Sequence, residues 1–136
     1  MKRSGYIQRF ITFRRRNKFG AVPVHNTVTG ESFDSRGESR RIGALRVMER
    51  AGIISNLVVH PTVVLIERTD KAPQIAYRPD ASYMQEGRTV WEDFKPRPQT
   101  PRETMIFKLW QHFGPGVLLI TGSKGETKKT IMGARQ

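Results

Sequence analysis

The chain contains no cysteine, which excludes both a disulfide framework and a thiolate metal site and is compatible with a reducing cytoplasm. No run is long and apolar enough to span a bilayer, and the first residues lack the apolar stretch of a secretion signal. A cytoplasmic protein is therefore expected. No Ser-His-acid triad is evident. His25, His60 and His112 are scattered without the spacing of a metal-ligand set, and Gly122-Ser123-Lys124-Gly125 lacks the full spacing and following helix of a phosphate loop. Acidic residues are scarce: 12 Asp and Glu face 24 Lys and Arg, a formal net charge of +12. That excess predicts a polyanionic partner. The basic residues are spread along the chain without a basic amphipathic helix, which favours nucleic acid over a membrane surface.

The 136 residues are enough for one domain with a single core. Through about Gly20 the chain carries Lys2, Arg3, Arg9, Arg14, Arg15, Arg16 and Lys18 with no acid, and Tyr6, Phe10, Ile11 and Phe13 are interleaved. This reads as a basic arm over residues 1–20 that neutralises phosphates, with aromatic stacking on unpaired bases as a sharper alternative. A first helix is expected from Ser35, where Ser35 and Glu38 have the spacing of a capping box. Ile42, Leu45 and Met48 recur at helical spacing, Arg41 lies on another face, and Ala51-Gly52 supplies the stop. The apolar run 53–66 is broken by His60-Pro61, predicting two short strands or one bulged edge strand. Thr69 to Pro73 is a turn, after which Ile75, Tyr77 and Asp80 resume a strand. A second helix starts at Thr100-Pro101 with Glu103 closing a capping box, and Ile106, Leu109, Trp110 and Phe113 form its buried face. Gly114-Pro115-Gly116 ends it before the buried strand Val117 to Thr121. Residues 122–136, polar and basic, read as a flexible tail beyond a folded domain at 21–121. The expected fold is α/β (α+β), a mixed central sheet flanked by helices.

The most informative segment lies between these helices. Glu86-Gly87 is a hairpin turn signal between two strand-like runs. With the turn centred there, Asp80 lies opposite Asp93, and Lys95 follows two residues along on the same face. Like charges directly across a ladder destabilise it, so two carboxylates there call for a function, and a divalent cation is the simplest. Glu38, at the edge of the first helix's apolar stripe, faces the sheet; it either caps the helix or joins Asp80 and Asp93 around the metal, roles that are compatible. Mg²⁺, with Mn²⁺ as a substitute, prefers one or two carboxylates plus water and phosphate oxygens. Lys95 either orients an attacking water or stabilises charge on phosphorus, and an ammonium near two carboxylates stays protonated, which favours the second role. Taken singly, Asp80 is a residue at a strand start and Lys95 a solvated charge.

The spacing Glu38, Pro79-Asp80 and Asp93-Phe94-Lys95 resembles the PD-(D/E)XK nuclease superfamily, and the chain is similar within it to small phage and prophage nucleases of the DUF1064 type. The similarity runs from about Arg16 to Thr121. It takes in an Asn-Lys start, Phe-Asp-Ser followed by an acid, Glu-Arg-Ala-Gly-Ile-Ile-Ser-Asn-Leu, His-Pro in place of the usual Gln-Pro, the Pro-Asp strand, Val-Trp-Glu-Asp-Phe-Lys and Phe-Lys-Leu-Trp. Ala81 after Pro-Asp and Pro96 after the lysine depart from the pattern, and neither removes a ligand. The general shape also resembles the phage endonuclease I junction-resolving enzymes.

The resemblance implies a restriction-endonuclease-like core, Glu38, Asp80 and Asp93 as metal-binding acids, and Lys95 as the catalytic lysine. It places Lys108 of the second helix toward substrate phosphate, a solvated surface lysine being the alternative. Arg14, Arg15, Arg16, Lys18, Arg41 and Arg97 are the other cations expected to contact DNA. His60 reads as a packed or hydrogen-bonded core histidine, or as a neighbour of the site. The expected activity is a Mg²⁺-dependent endodeoxyribonuclease, structure-selective on branched DNA such as a Holliday junction, acting as a homodimer in a host cytoplasm if phage-encoded. The competing class is a non-catalytic basic nucleic-acid-binding protein, in which the same carboxylates are structural.

Overall fold

A computed structural model describes residues 24–25, 32–33 and 36–135. The basic arm, with Arg14, Arg15, Arg16 and Lys18, and the Ser35 cap lie outside the described residues. The chain divides into two compact units, residues 1–36 and 37–136. In the first, β1 (Val24–His25) pairs antiparallel with β2 (Ser32–Phe33).

The second unit is built on a five-stranded mixed sheet in the order β3-β6-β7-β8-β9. These strands are β3 (Ser55–Val59), β6 (Ala81–Gln85), β7 (Arg88–Phe94), β8 (Val117–Thr121) and β9 (Thr127–Met132). All neighbours are antiparallel except β7 and β8, which are parallel. A parallel pair needs a long crossover, and here it is α2 (Pro101–Phe113). The other helix, α1 (Arg36–Arg50), ends where Ile53 N donates to Met48 O and Gly52 N to Glu49 O, the paired hydrogen bonds that satisfy a helix's last carbonyls. A separate two-stranded sheet joins β4 (Val63–Ile66) to β5 (Ile75–Tyr77).

The β6–β7 hairpin has the register that a turn centred on Glu86-Gly87 requires. Ala81 lies opposite Glu92, and Gln85 opposite Arg88. Glu86 and Gly87 both have positive φ, 51° and 77°, the conformation of the two-residue turn that matches strand twist.

Side-chain alternation assigns the two faces of the sheet. Leu118 and Ile120 of β8, opposite Trp91 and Asp93, pack with Phe107 and Trp110 of α2, Val63 and Leu65 of β4 and Ile131 of β9. Trp110 is fully buried, meets Tyr77 and Trp91 edge-on and donates its Nε1–H to Gly116 O at 2.8 Å. Glu92 and Phe94 point the other way and meet α1 through Arg41 and Gly37.

Three expectations are corrected. The expected tail, residues 122–136, holds β9 within its described part, and β9 pairs along β8. Thr127, Thr130 and Ile131 suit a strand, but Ile131 alone in β9 is buried, so the segment carries almost no hydrophobic signal of its own. The buried face of α2 centres on Phe107 and Trp110, while Phe113, at the end of the last turn, is 42% exposed. The stretch from Ile75 to Asp80 is not one strand. It leaves the β4–β5 pair at Tyr77 and enters the central sheet at Ala81, and the buried Pro79 between them has no N–H for a ladder.

Candidate metal centre

One end of the central sheet collects side chains from four separate parts of the chain. The last pair of the β3–β6 ladder is Val59 with Ala81, and beyond it His60 N donates to Asp80 O at 2.8 Å. The ladder thus carries His60 and Asp80 side by side. His60 has a φ of 54°, uncommon for a residue with a side chain, and its ring is turned to α1, where Nε2 lies 2.8 Å from Glu38 Oε1. Glu38 follows Gly37 in the first turn of α1. A Cβ on Gly37 would lie 2.5 Å from Phe94 Cζ, so glycine lets this turn sit against the Phe94 ring without displacing it.

Among the described residues, Glu38, His60 and Asp80 offer one ligand atom each, all within 4.8 Å of one another. Asp80 precedes β6 by one residue, and its Oδ2 accepts from Phe94 N at 2.6 Å. Burial, and after it the charge of Glu38, pushes Asp80 up to about 7, against the opposing pull of Lys95. Two carboxylates that disfavour each other's charge beside an imidazole are a donor set that a divalent cation would relieve.

Asp93 stands outside this set. It is 1% exposed, accepts a hydrogen bond from Tyr77 Oη and lies 3.1 Å from Lys95 Nζ. Burial pushes the Asp93 carboxyl up, with Lys95 acting against it. Lys95 is desolvated too, which disfavours its charge, but Asp93 and Asp80 together outweigh this and raise its pKa. It therefore stays an ammonium. Lys95 Nζ is also 3.8 Å from Glu103, so a helix-capping residue shares the lysine's surroundings.

Glu103 has three duties. It closes the capping box with Thr100, takes a two-pronged hydrogen bond from Arg97 at 2.8 Å and 2.8 Å, and faces Lys95. Burial opposes its charge, but the Arg97 hydrogen bond, the Thr100 amide and the nearby cations hold it down at about 2. The sign follows directly. A carboxyl depressed below its unfolded value near 4.5 contributes stability above pH 4.5 and loses it as the pH falls toward 2. Glu103→Gln keeps a side chain able to cap. It is expected to lower stability at pH 7 by about 1–2 kcal/mol after screening, with the gap from wild type closing between pH 4.5 and 2. Thermal melts across that range check it; a constant gap would mean that the charge contributes nothing.

Of the other cations, Arg41 is committed within the fold. Its Nε and Nη2 donate to the buried Glu92 at 2.5 Å and 2.8 Å, and Tyr83 Oη donates to the same carboxylate at 2.9 Å. Lys108 is exposed on α2 and lines a cleft of about 420 Å³ with Gln99, Gln111 and Lys129. Lys128, from β9, reaches back to the carbonyls of Lys95 and Arg97 at 2.8 Å and 3.2 Å.

Sequence reasoning gave His60 no ligand role, and it missed the support of Asp93 and Lys95 by Tyr77 and Glu103. His60-Pro61 marked a break between strands. Only the pairing of β3 with β6 reveals what the break is next to.

The described residues define an α+β protein with a mixed five-stranded sheet between two helices, and a Glu-His-Asp cluster with an adjoining Lys-Asp pair at one end. A protein-family model described as "Protein of unknown function (DUF1064)" matches residues 16–113, and the chain belongs to that family. No curated protein matches the chain. No solved structure matches it. Among the described residues, no helix is long and apolar enough to cross a membrane.

Proposed function

We propose that this protein is a divalent-metal-dependent endodeoxyribonuclease of the PD-(D/E)XK type, hydrolysing phosphodiester bonds with a preference for branched DNA. The observation that carries the reading is the convergence of Glu38, His60 and Asp80 within 4.8 Å beside an ammonium, Lys95, held 3.1 Å from Asp93. The net charge of +12 supports a nucleic-acid substrate. The resemblance to junction-resolving enzymes supports branched DNA, and with it a homodimer presenting two sites.

The donor set fits a divalent cation, which Glu38, Asp80 and His60 would hold. When bound, it supplies Lewis-acid polarisation of the phosphodiester and a water of lowered pKa. Lys95, protonated, contributes a positive charge and hydrogen-bond donors for the phosphoryl oxygens. Asp93 and Tyr77 fix where that ammonium sits. Asp93 is thus a positioning residue in this arrangement.

The test is cleavage of a labelled four-way junction, a matching duplex and a single strand, with Mg²⁺, with Mn²⁺ and with EDTA, beside Asp93→Asn. Metal-dependent paired cuts on the junction, abolished in Asp93→Asn while DNA binding is kept, are expected. Cuts on duplex or single strand alone would remove the branched-DNA preference. Binding without cleavage in either metal would sink the nuclease and favour a non-catalytic binding protein.

A further inference from the structure

The three ligand atoms at the sheet end are not of one kind. Two are carboxylate oxygens and the third is His60 Nε2. Mg²⁺ is a hard ion that prefers oxygen donors and gives up its water reluctantly. Imidazole nitrogen suits the first-row transition ions better, Mn²⁺ being the weakest binder among them. The placement of this nitrogen rests on two constraints from outside the ring. The His60 amide is tied to Asp80 O at 2.8 Å, continuing the β3–β6 ladder, and the backbone takes a φ of 54° before Pro61. Nε2 and Glu38 Oε1 are 2.8 Å apart, close to the separation of about 3 Å that neighbouring ligands have on an octahedral ion with bonds near 2.1 Å. Asp80, also in reach, completes a set in which every member offers an atom to the same small volume.

We propose that the cluster is a mixed nitrogen–oxygen metal site, in which His60 Nε2 ligates beside Glu38 and Asp80 and selects a first-row transition ion of the Mn²⁺ kind over Mg²⁺. This rests on the metal-dependent reading of the same residues, but it concerns which ion they hold and through which atoms. Asp93 is outside that three-atom set, and its Oδ2 meets Lys95 Nζ at 3.1 Å.

The experiment is Mn²⁺ binding to the full chain, followed by the loss of the free-ion EPR signal, with Mg²⁺ as competitor and pulsed EPR on the bound ion. Wild type is expected to bind Mn²⁺ more tightly than Mg²⁺, and the bound ion to show the ¹⁴N modulation of a coordinated imidazole. In His60→Gln the ¹⁴N modulation is expected to vanish, and the preference for Mn²⁺ over Mg²⁺ to be lost. His60→Asn serves as a second variant, because asparagine tolerates positive φ and so keeps the strand connection. Bound Mn²⁺ without ¹⁴N modulation in wild type, or modulation that persists in both variants, would make His60 a hydrogen-bond partner of Glu38 only and overturn the proposal. Absence of any bound ion would overturn it as well. Nitrogen-ligated Mn²⁺ on a protein that cuts no DNA would uphold the site and remove the nuclease. DNA cleavage with an oxygen-only ion would do the reverse.

Discussion

Asp80→Asn is expected to abolish DNA cleavage and, in the presence of EDTA at pH 8, to raise the melting temperature. The two effects share one cause. Burial and Glu38 lift the Asp80 carboxyl to about 7, whereas its unfolded value is near 3.8. A carboxyl raised in the folded state contributes most stability below its unfolded value, and that contribution is lost as the pH rises through the folded value. Above pH 7 the ionised form therefore burdens the metal-free protein by an amount on the order of a few kcal/mol. Asparagine removes the charge, and its carbonyl oxygen can still accept the Phe94 amide that Asp80 holds at 2.6 Å. For a chain of this size the gain amounts to roughly several degrees. It should shrink as the pH falls from 7 to below 4, where wild-type Asp80 is itself neutral. Scanning calorimetry over that pH range, with chelator present, reads the outcome. An unchanged or lowered midpoint at pH 8 would show that Asp80 is not strained by its charge. Cleavage by Asp80→Asn would remove it from the site.

Lys95→Met should also stop cleavage but should move stability the other way. Methionine preserves most of the aliphatic stem and removes the ammonium. Asp93, 1% exposed, is then left with Tyr77 as its hydrogen-bond donor, and Asp80 loses the cation that opposes its upward shift. Stripping one partner from a buried ion pair typically costs about 3–5 kcal/mol. Here the lysine is partly exposed, at 22% of its side chain, so about 2–3 kcal/mol at pH 8 is a better expectation. The deficit should narrow toward pH 4, as both acids take up protons and need no counter-charge. Denaturant titrations at pH 8 and pH 4.5 check this. Equal stability of wild type and variant at both values would mean that the Asp93–Lys95 contact is incidental. Opposite effects of the two substitutions on stability would show that Asp80 and Lys95 carry their charges within one buried cluster.

The hairpin register was legible because it depends on the turn alone. Glu86-Gly87 accepts positive φ at both positions, and once the turn is centred every opposing pair follows, Ala81 with Glu92 included. The start of α2 was legible for the same reason, since Thr100, Pro101 and Glu103 satisfy the helix end among themselves. Glu38 facing the sheet was visible in the helical period. Asp93, expected beside Asp80, is not in the three-atom Glu38–His60–Asp80 set and accepts a hydrogen bond from Tyr77. Adjacency in a ladder predicts the backbone, and a residue just outside the strand, such as Asp80, is free to turn its side chain to the Phe94 amide instead. β9 escaped notice because a strand with one buried residue takes its signal from the neighbour it pairs with, not from its own composition.

What the amino-acid order determined by itself is thus what residues within four or five positions can settle: where helices begin and end, where the chain turns and which face of a helix is apolar; the net charge of +12 is a sum over the whole chain. Which acids share a site was decided by tertiary structure. Glu38, His60 and Asp80 are brought together by α1 packing at Gly37 and by β3 pairing with β6, contacts between segments some twenty residues apart or more. No local pattern encodes them, because the free energy that holds them comes from burying the sheet between its two helices and not from the residues of the site, whose charges oppose being gathered there.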